Sequence, residues 1–100
     1  MAKILFERTG GFMGRKISLE VDLQDLPKDQ AEALEELLND ADFFELPEDL
    51  TSQDIPDGFT YLITAESQRG EHSVRCGDAS TPDDLRPLVD ELSRRARMQR

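Results

Sequence analysis

The strongest candidates for nucleophilic or metal chemistry in this chain are its single histidine, His72, and its single cysteine, Cys76. They are four residues apart in a stretch whose alternating pattern predicts a β-strand. Both side chains therefore face the same way, too far apart for the imidazole to activate the thiol directly. Because both belong to the inward-facing alternation, we expect a core cysteine and a partly buried or edge histidine, and we expect neither to be catalytic.

Metal, cofactor and phosphate chemistry lack the required patterns. The chain contains neither His-Glu-x-x-His nor Cys-x-x-Cys, and the Gly-rich stretch 10–14 lacks the lysine and spacing of a phosphate-binding loop. Adjacent carboxylates are common in a chain with 22 acidic residues, so a solvated face or a helix cap explains them. We predict that the protein is not an enzyme and binds no cofactor or metal.

The chain is strongly acidic, with a formal net charge of −10 from 22 acidic and 12 basic residues. Residues 22–57 hold 13 of the acids and a single basic residue, Lys28. Such a charge keeps a protein soluble whatever its function, and it also speeds encounter with a basic or metal-bearing partner surface. Because it repels nucleic-acid phosphates and anionic membranes, we predict neither as a partner.

The cellular location is predicted from the cysteine count and the first residues. One cysteine allows no intrachain disulfide, which agrees with a reducing compartment. The apolar run near the N-terminus is too short for a signal sequence or a membrane span. We expect a cytoplasmic protein that is a monomer when free.

Hydrophobic periodicity predicts six elements in the order β-β-α-β-β-α. Alternation predicts strands over residues 3–8, 15–22, 59–66 and 71–76. Helical spacing predicts a helix from Asp25-Leu26-Pro27 to about Asp40 and another that begins at Ser80-Thr81-Pro82, in both cases with a capping side chain before a proline. We predict an α+β fold, a single domain over residues 1–100, with a four-stranded, mainly antiparallel sheet and two helices packed on one face.

The stretch Thr9-Gly10-Gly11-Phe12-Met13-Gly14 joins the first two strands. Glycine supplies the positive φ that a chain reversal needs, but turn formation gives no reason for Phe12 and Met13. Two explanations stay open. The apolar side chains fold down and cap the core, or the hairpin tip presents them to the pocket of another protein, where aromatic anchors dominate binding energy.

The element order also predicts which loops are neighbours. If the first helix packs on the sheet and returns the chain, the third strand begins at the end of the sheet where the first hairpin turns. Residues 9–14, the acidic connection 51–58 and residues 77–80 then lie together. We also expect the aromatic strand residues Phe6, Phe59 and Tyr61 to face the core.

Four segments of the chain together form a distinctive pattern: Phe6-Glu7-Arg8-Thr9-Gly10-Gly11-Phe12-Met13-Gly14, Ala41-Asp42-Phe43-Phe44-Glu45-Leu46-Pro47, Phe59-Thr60-Tyr61-Leu62-Ile63 and Leu85-Arg86-Pro87-Leu88-Val89. In this order they resemble one known family, the emfourins, which are small bacterial protein inhibitors of thermolysin-like zinc metalloproteases of the protealysin type. The likeness spans nearly the whole chain, and the first segment is the most specific. Thr9 and Met13 depart from the pattern, where Ser and Ala are more usual, and Met13 enlarges the tip.

The resemblance implies a stoichiometric inhibitor that occludes the protease cleft inside the producing cell. We infer an inhibitory surface made of the hairpin tip and a second loop. Its residues are Gly10, Gly11, Phe12, Met13 and Gly14, followed by Asp54, Pro56, Asp57 and Gly58. An acidic protein-interaction module (an adaptor) without a protease target is the alternative from the residues alone.

Overall fold

The computed structural model describes residues 3–10, 16–50, 58–67, 70–78 and 80–98. The four strands are β1 (Lys3–Gly10), β2 (Ile17–Asp22), β3 (Phe59–Ser67) and β4 (Gly70–Gly77), and the two helices are α1 (Lys28–Asp40) and α2 (Arg86–Met98). Short 3-10 turns at Leu23–Asp25 and Phe43–Glu45 flank α1. The predicted order of strands and helices is confirmed.

The strands form one sheet in the order β2-β1-β3-β4, and every neighbouring pair is antiparallel. β1 is therefore an inner strand that pairs on both sides. Ile4 lies opposite Val21 of β2 and opposite Ala65 of β3. Because cross-strand partners share a face, this register collects the inward-facing residues of the strands into one apolar layer. The protein is an α+β domain, as predicted.

Both helices contribute to the single core that covers this layer. Leu34, Leu38 and Ala41 at the first helix, and five residues at or before α2, are buried with the inward strand residues. The residues of the second group are Leu85, Leu88, Val89, Leu92 and Ala96. Their spacing is the helical stripe predicted from the sequence.

The connection after α1 covers the outer edge of β4. Arg75 donates its backbone N–H to the Glu48 carbonyl at 2.8 Å, and the Leu50 N–H donates to the Arg75 carbonyl at 2.7 Å. On β4 itself, His72 is half-buried, and its Nε2 lies 2.8 Å from the Leu46 carbonyl oxygen. Cys76 is fully buried. The structural roles predicted for both residues are confirmed.

The predicted cap of the first helix is wrong. Asp25 lies in the Leu23–Asp25 turn, which is capped by the Asp22 side chain, and α1 has no side-chain cap at its own start. Thr81 donates its hydroxyl to the Gly77 carbonyl at 2.6 Å, so it ties the chain back to β4. A turn from Pro82 precedes α2, which begins at Arg86. The hydroxyl therefore satisfies a buried carbonyl, and the predicted cap of the second helix stays a prediction.

Two absences concern the described part of the chain. Within it no helix is long and apolar enough to cross a membrane. Among the same residues no three His, Cys, Asp or Glu side chains lie close enough together to hold a metal ion.

Gly10 and Gly70 offer a matched test of the sheet geometry. Both have positive φ, +100° and +120°. A Cβ at Gly10 would lie 2.9 Å from the Gly58 carbonyl oxygen, whereas a Cβ at Gly70 would meet nothing within 4 Å. We expect Gly70→Ala to cost about 1–3 kcal/mol of backbone strain and Gly10→Ala to cost about 1 kcal/mol more, because it adds a steric collision.

Urea unfolding of the two variants and the wild-type protein measures this difference. Equal losses of unfolding free energy would contradict the close approach of Gly10 to Gly58.

Candidate functional site

The end of β1 and the beginning of β3 lie side by side. Gly10 is the cross-strand partner of Phe59, and Thr9 is the partner of Thr60. The backbones are so close that only glycine fits at position 10 without displacing the Gly58 carbonyl. The hairpin stretch that leaves from Gly10 and the acidic connection that ends at Gly58 are therefore attached at adjacent points.

The segment after β4 reaches the same place. Gly77 is the cross-strand partner of Thr60, and the Asp78 N–H donates to the Phe59 carbonyl at 3.2 Å. The opposite end of the sheet holds Lys3 and the paired residues Ser67 and Gly70. The predicted clustering of three loop attachments is thus confirmed for the described residues. We call Gly10, Gly58, Phe59, Gly77 and Asp78 the loop end.

Most residues predicted for the inhibitory surface lie outside the described residues. Gly10 and Gly58 are described, and the structure brings them together. The others are Gly11, Phe12, Met13, Gly14, Asp54, Pro56 and Asp57. Whether Phe12 and Met13 cap the core or face a partner therefore stays a prediction.

Asp78 joins β3 to the segment that follows β4, and it did not stand out in the sequence. Its carboxylate accepts the Phe59 N–H at 2.9 Å through Oδ2 and the Tyr61 hydroxyl at 2.6 Å through Oδ1. Its carbonyl accepts a hydrogen bond of 3.4 Å from Arg86. A carboxylate that receives two donors in this way fixes the backbone at the start of β3. An aspartate directly after a strand-terminal glycine is the only local signal, and it is weak.

Burial of the Tyr61 phenol, followed by its hydrogen bond to Asp78 and the charge of that carboxylate, raises the pKa of Tyr61 well above its ordinary value of 10.0. Burial disfavours the phenolate, and a nearby carboxylate repels it. The neutral hydroxyl is therefore retained as a donor over a wide pH range. The hydrogen bond from the Tyr61 hydroxyl to Asp78 is therefore kept at ordinary pH.

Phe59 corrects the expectation that all strand aromatics face the core. Phe6 and Tyr61 are buried and stack at 6.1 Å between ring centroids, but Phe59 is 36 % exposed. Its cross-strand partner Gly10 has no side chain that could cover the ring. The Arg8 guanidinium carbon lies 4.8 Å from the centroid of the Phe59 ring, which is cation–π distance.

The basic residues near the C-terminus are partly used inside the fold. Glu91 accepts hydrogen bonds from Arg94 and Arg95, each 2.6 Å at its shortest, and Arg95 reaches Gln30 of α1 at 3.2 Å. Partial burial raises the pKa of Glu91, but these bonds outweigh burial and hold it below its ordinary value. An open groove of about 700 Å³ lies beside them, between β2 and the end of α2, away from the loop end.

Tyr61 is the single tyrosine of a chain without tryptophan, so tyrosinate absorbance reports on this residue alone. We expect a titration midpoint above 10.0 in the folded protein and a return to the ordinary value in denaturant. Because the folded pKa is the higher one, the stability gained is fully present below pH 10.0 and is lost as the pH rises through the folded value.

The matched variants are Tyr61→Phe, whose stability should lack this loss at alkaline pH, and Asp78→Asn, whose Tyr61 midpoint should fall. A folded-state midpoint at the ordinary value would contradict both the burial of the phenol and its hydrogen bond to Asp78.

Comparisons with known proteins find similarity over most of the chain. The family model described as Emfourin matches residues 6–93, from within β1 to within α2. Among solved structures, emfourin (M4in) from Serratia proteamaculans, an M4 family peptidase inhibitor, is 23% identical, with a TM-score of 0.49. That match covers 87% of this chain and 84% of the Serratia chain. No curated protein is significantly similar in sequence.

Proposed function

This chain belongs to the emfourin family, and from that membership we propose that it is a stoichiometric inhibitor of thermolysin-like zinc metalloproteases of the protealysin type. Emfourins are inhibitor proteins and not enzymes. The Serratia member is described as an inhibitor of M4 family peptidases, and we propose the same class of target for this chain.

The observation that carries the proposal is the meeting of Gly10 and Gly58 at one end of the sheet. The stretch with Phe12 and Met13 leaves from the first glycine, and the stretch with Asp54 and Asp57 ends at the second. A thermolysin-like cleft holds a zinc ion and a pocket for bulky apolar side chains. Apolar and acidic groups anchored at neighbouring points suit such a cleft, and we propose that they occlude it.

The rigid attachment of both stretches supports inhibition in particular. The β1–β3 ladder continues to Gly10 and Phe59, and Asp78 holds the Phe59 N–H and carbonyl from the other side. Binding costs conformational freedom, and a surface whose attachment points are already fixed loses less of it. This lowers the cost of forming a long-lived complex.

The acidic charge supports fast encounter with the target. At a net charge of −10 the protein is attracted to a positive or metal-bearing surface such as a zinc cleft. We propose that it acts as a cytoplasmic monomer, where its single cysteine stays reduced.

Inhibition is tested by titrating a panel of protealysin-type and other thermolysin-like proteases with the purified protein and following peptide hydrolysis. Activity should fall linearly and end near equimolar inhibitor, because the complex is stoichiometric. Full activity of every protease at excess protein would contradict the proposal and would favour an acidic adaptor without a protease target.

The site is tested by replacing Phe12 and Met13 with Ser in one variant. Loss of an aromatic anchor at the centre of an interface typically costs about 2–4 kcal/mol, so we expect inhibition to weaken about 30-fold or more at unchanged unfolding free energy. Met98→Ser is the control, because Met98 is 70% exposed and lies at the end of α2. A large stability loss in the double variant, measured by urea unfolding, would instead place these side chains in the core.

A further inference from the structure

The described residues expose two large hydrophobic side chains, Phe59 and Met98. Met98 is the last residue of α2, where its sulfur accepts a contact of 3.4 Å from Arg94. Phe59 belongs to the loop end and stands between the attachment points of the two proposed inhibitory stretches. The exposed ring of Phe59 therefore adds a residue to the proposed inhibitory surface. The strand alternation alone predicts a core position for this residue.

Both the backbone and the exposed ring of Phe59 contact other residues of the sheet and of the segment after β4. Its backbone pairs with Gly10 across the sheet and makes two hydrogen bonds with Asp78. Its ring lies 6.5 Å from the Tyr61 ring centroid and 4.8 Å from the Arg8 guanidinium carbon. A fixed aromatic ring presents apolar area to a partner at a small entropy cost, as binding anchors do.

Arg8 differs from Lys3 of the same strand and from Lys16, which lies next to β2. Lys3 and Lys16 form ion pairs with Glu20 and Glu7, at 3.3 Å and 2.9 Å. Arg8 forms no ion pair with any carboxylate among the described residues, and its guanidinium lies over the Phe59 ring instead. Stacking on a ring face orients the guanidinium while its N–H groups stay free for a bidentate carboxylate contact.

We propose that Arg8 and Phe59 form a second, preformed contact of the inhibitory surface, which binds a carboxylate beside an apolar side chain on the rim of the protease cleft. This inference rests on the proposed inhibition. The two residues set target preference, since a protease with a basic or apolar group in place of that carboxylate leaves Arg8 unpaired in the interface.

The test compares Arg8→Gln with Arg97→Gln, and Phe59→Ser with Met98→Ser. Both arginine changes remove one positive charge from a chain of net charge −10, so long-range steering is altered equally. Arg97 lies in the last turn of α2, far along the chain from the loop end. Association and dissociation rates are measured against the protealysin-type protease that the wild-type protein inhibits most tightly.

We expect Arg8→Gln and Phe59→Ser each to raise the dissociation rate about tenfold or more, because a preformed contact of the complex is lost. Association rates should match those of the two controls. Phe59→Leu, which keeps apolar area but no ring face, should lie between wild type and Phe59→Ser. Unfolding free energies measured in parallel show that each variant is folded at the assay temperature.

The outcomes separate this inference from the function on which it rests. If the wild-type protein inhibits no protease in the panel, the proposed function fails. If it inhibits and the Arg8 and Phe59 variants dissociate no faster than their controls, this second contact is overturned while inhibition stands. A further double variant, Arg8→Gln with Phe59→Ser, should cost less than the sum of the single changes, because the two side chains form one unit.

Discussion

The antiparallel pairing of β1 with β3 is the constraint on which the rest of this structure depends. These strands are separated by the hairpin, α1 and the long acidic connection, yet their ladder runs from Lys3 opposite Glu66 to Gly10 opposite Phe59. A shift of one residue would turn Ile4 and Phe6 away from the core, so burial of that face fixes the register. The same register fixes which loops are neighbours, and the candidate site follows from it.

The loop end is stabilised mainly by backbone pairing and by one carboxylate. Gly10 permits a close approach that any side chain would prevent, and Asp78 fastens the start of β3 through the Phe59 N–H and the Tyr61 hydroxyl. The buried side chains of Phe6 and Tyr61 lie next to the loop end. A surface placed on such a base keeps its geometry without needing a large core of its own.

The sequence predicted the elements well because one face of every strand and helix is buried. Alternation at Ile4, Phe6, Leu19 and Val21, and helical spacing at Leu34 and Leu38, are local patterns that burial dictates directly. The clustering of the loop attachments was also predictable, since it follows from strand direction once the first helix packs on the sheet and returns the chain.

Features that depend on a single tertiary neighbour were missed. Phe59 has the same spacing as Tyr61 and Ile63, but it lies at the start of β3 opposite Gly10, which has no side chain, and it is exposed. Asp78 gains its role from Tyr61, 17 residues away in sequence, and the Thr81 hydroxyl donates to the Gly77 carbonyl, a contact that its sequence pattern does not show. Such preferences are settled by contacts across the fold, which no local pattern records.

The central claim, that the loop end enters the protease cleft, is tested most directly by amide hydrogen exchange of the inhibitor alone and in complex with a protealysin-type protease. The account predicts new protection in residues 9–14, 51–59 and 77–80, and its loss when a small zinc-binding ligand already fills the cleft. Protection confined to the turn between β3 and β4, or to the groove between β2 and α2, would contradict it.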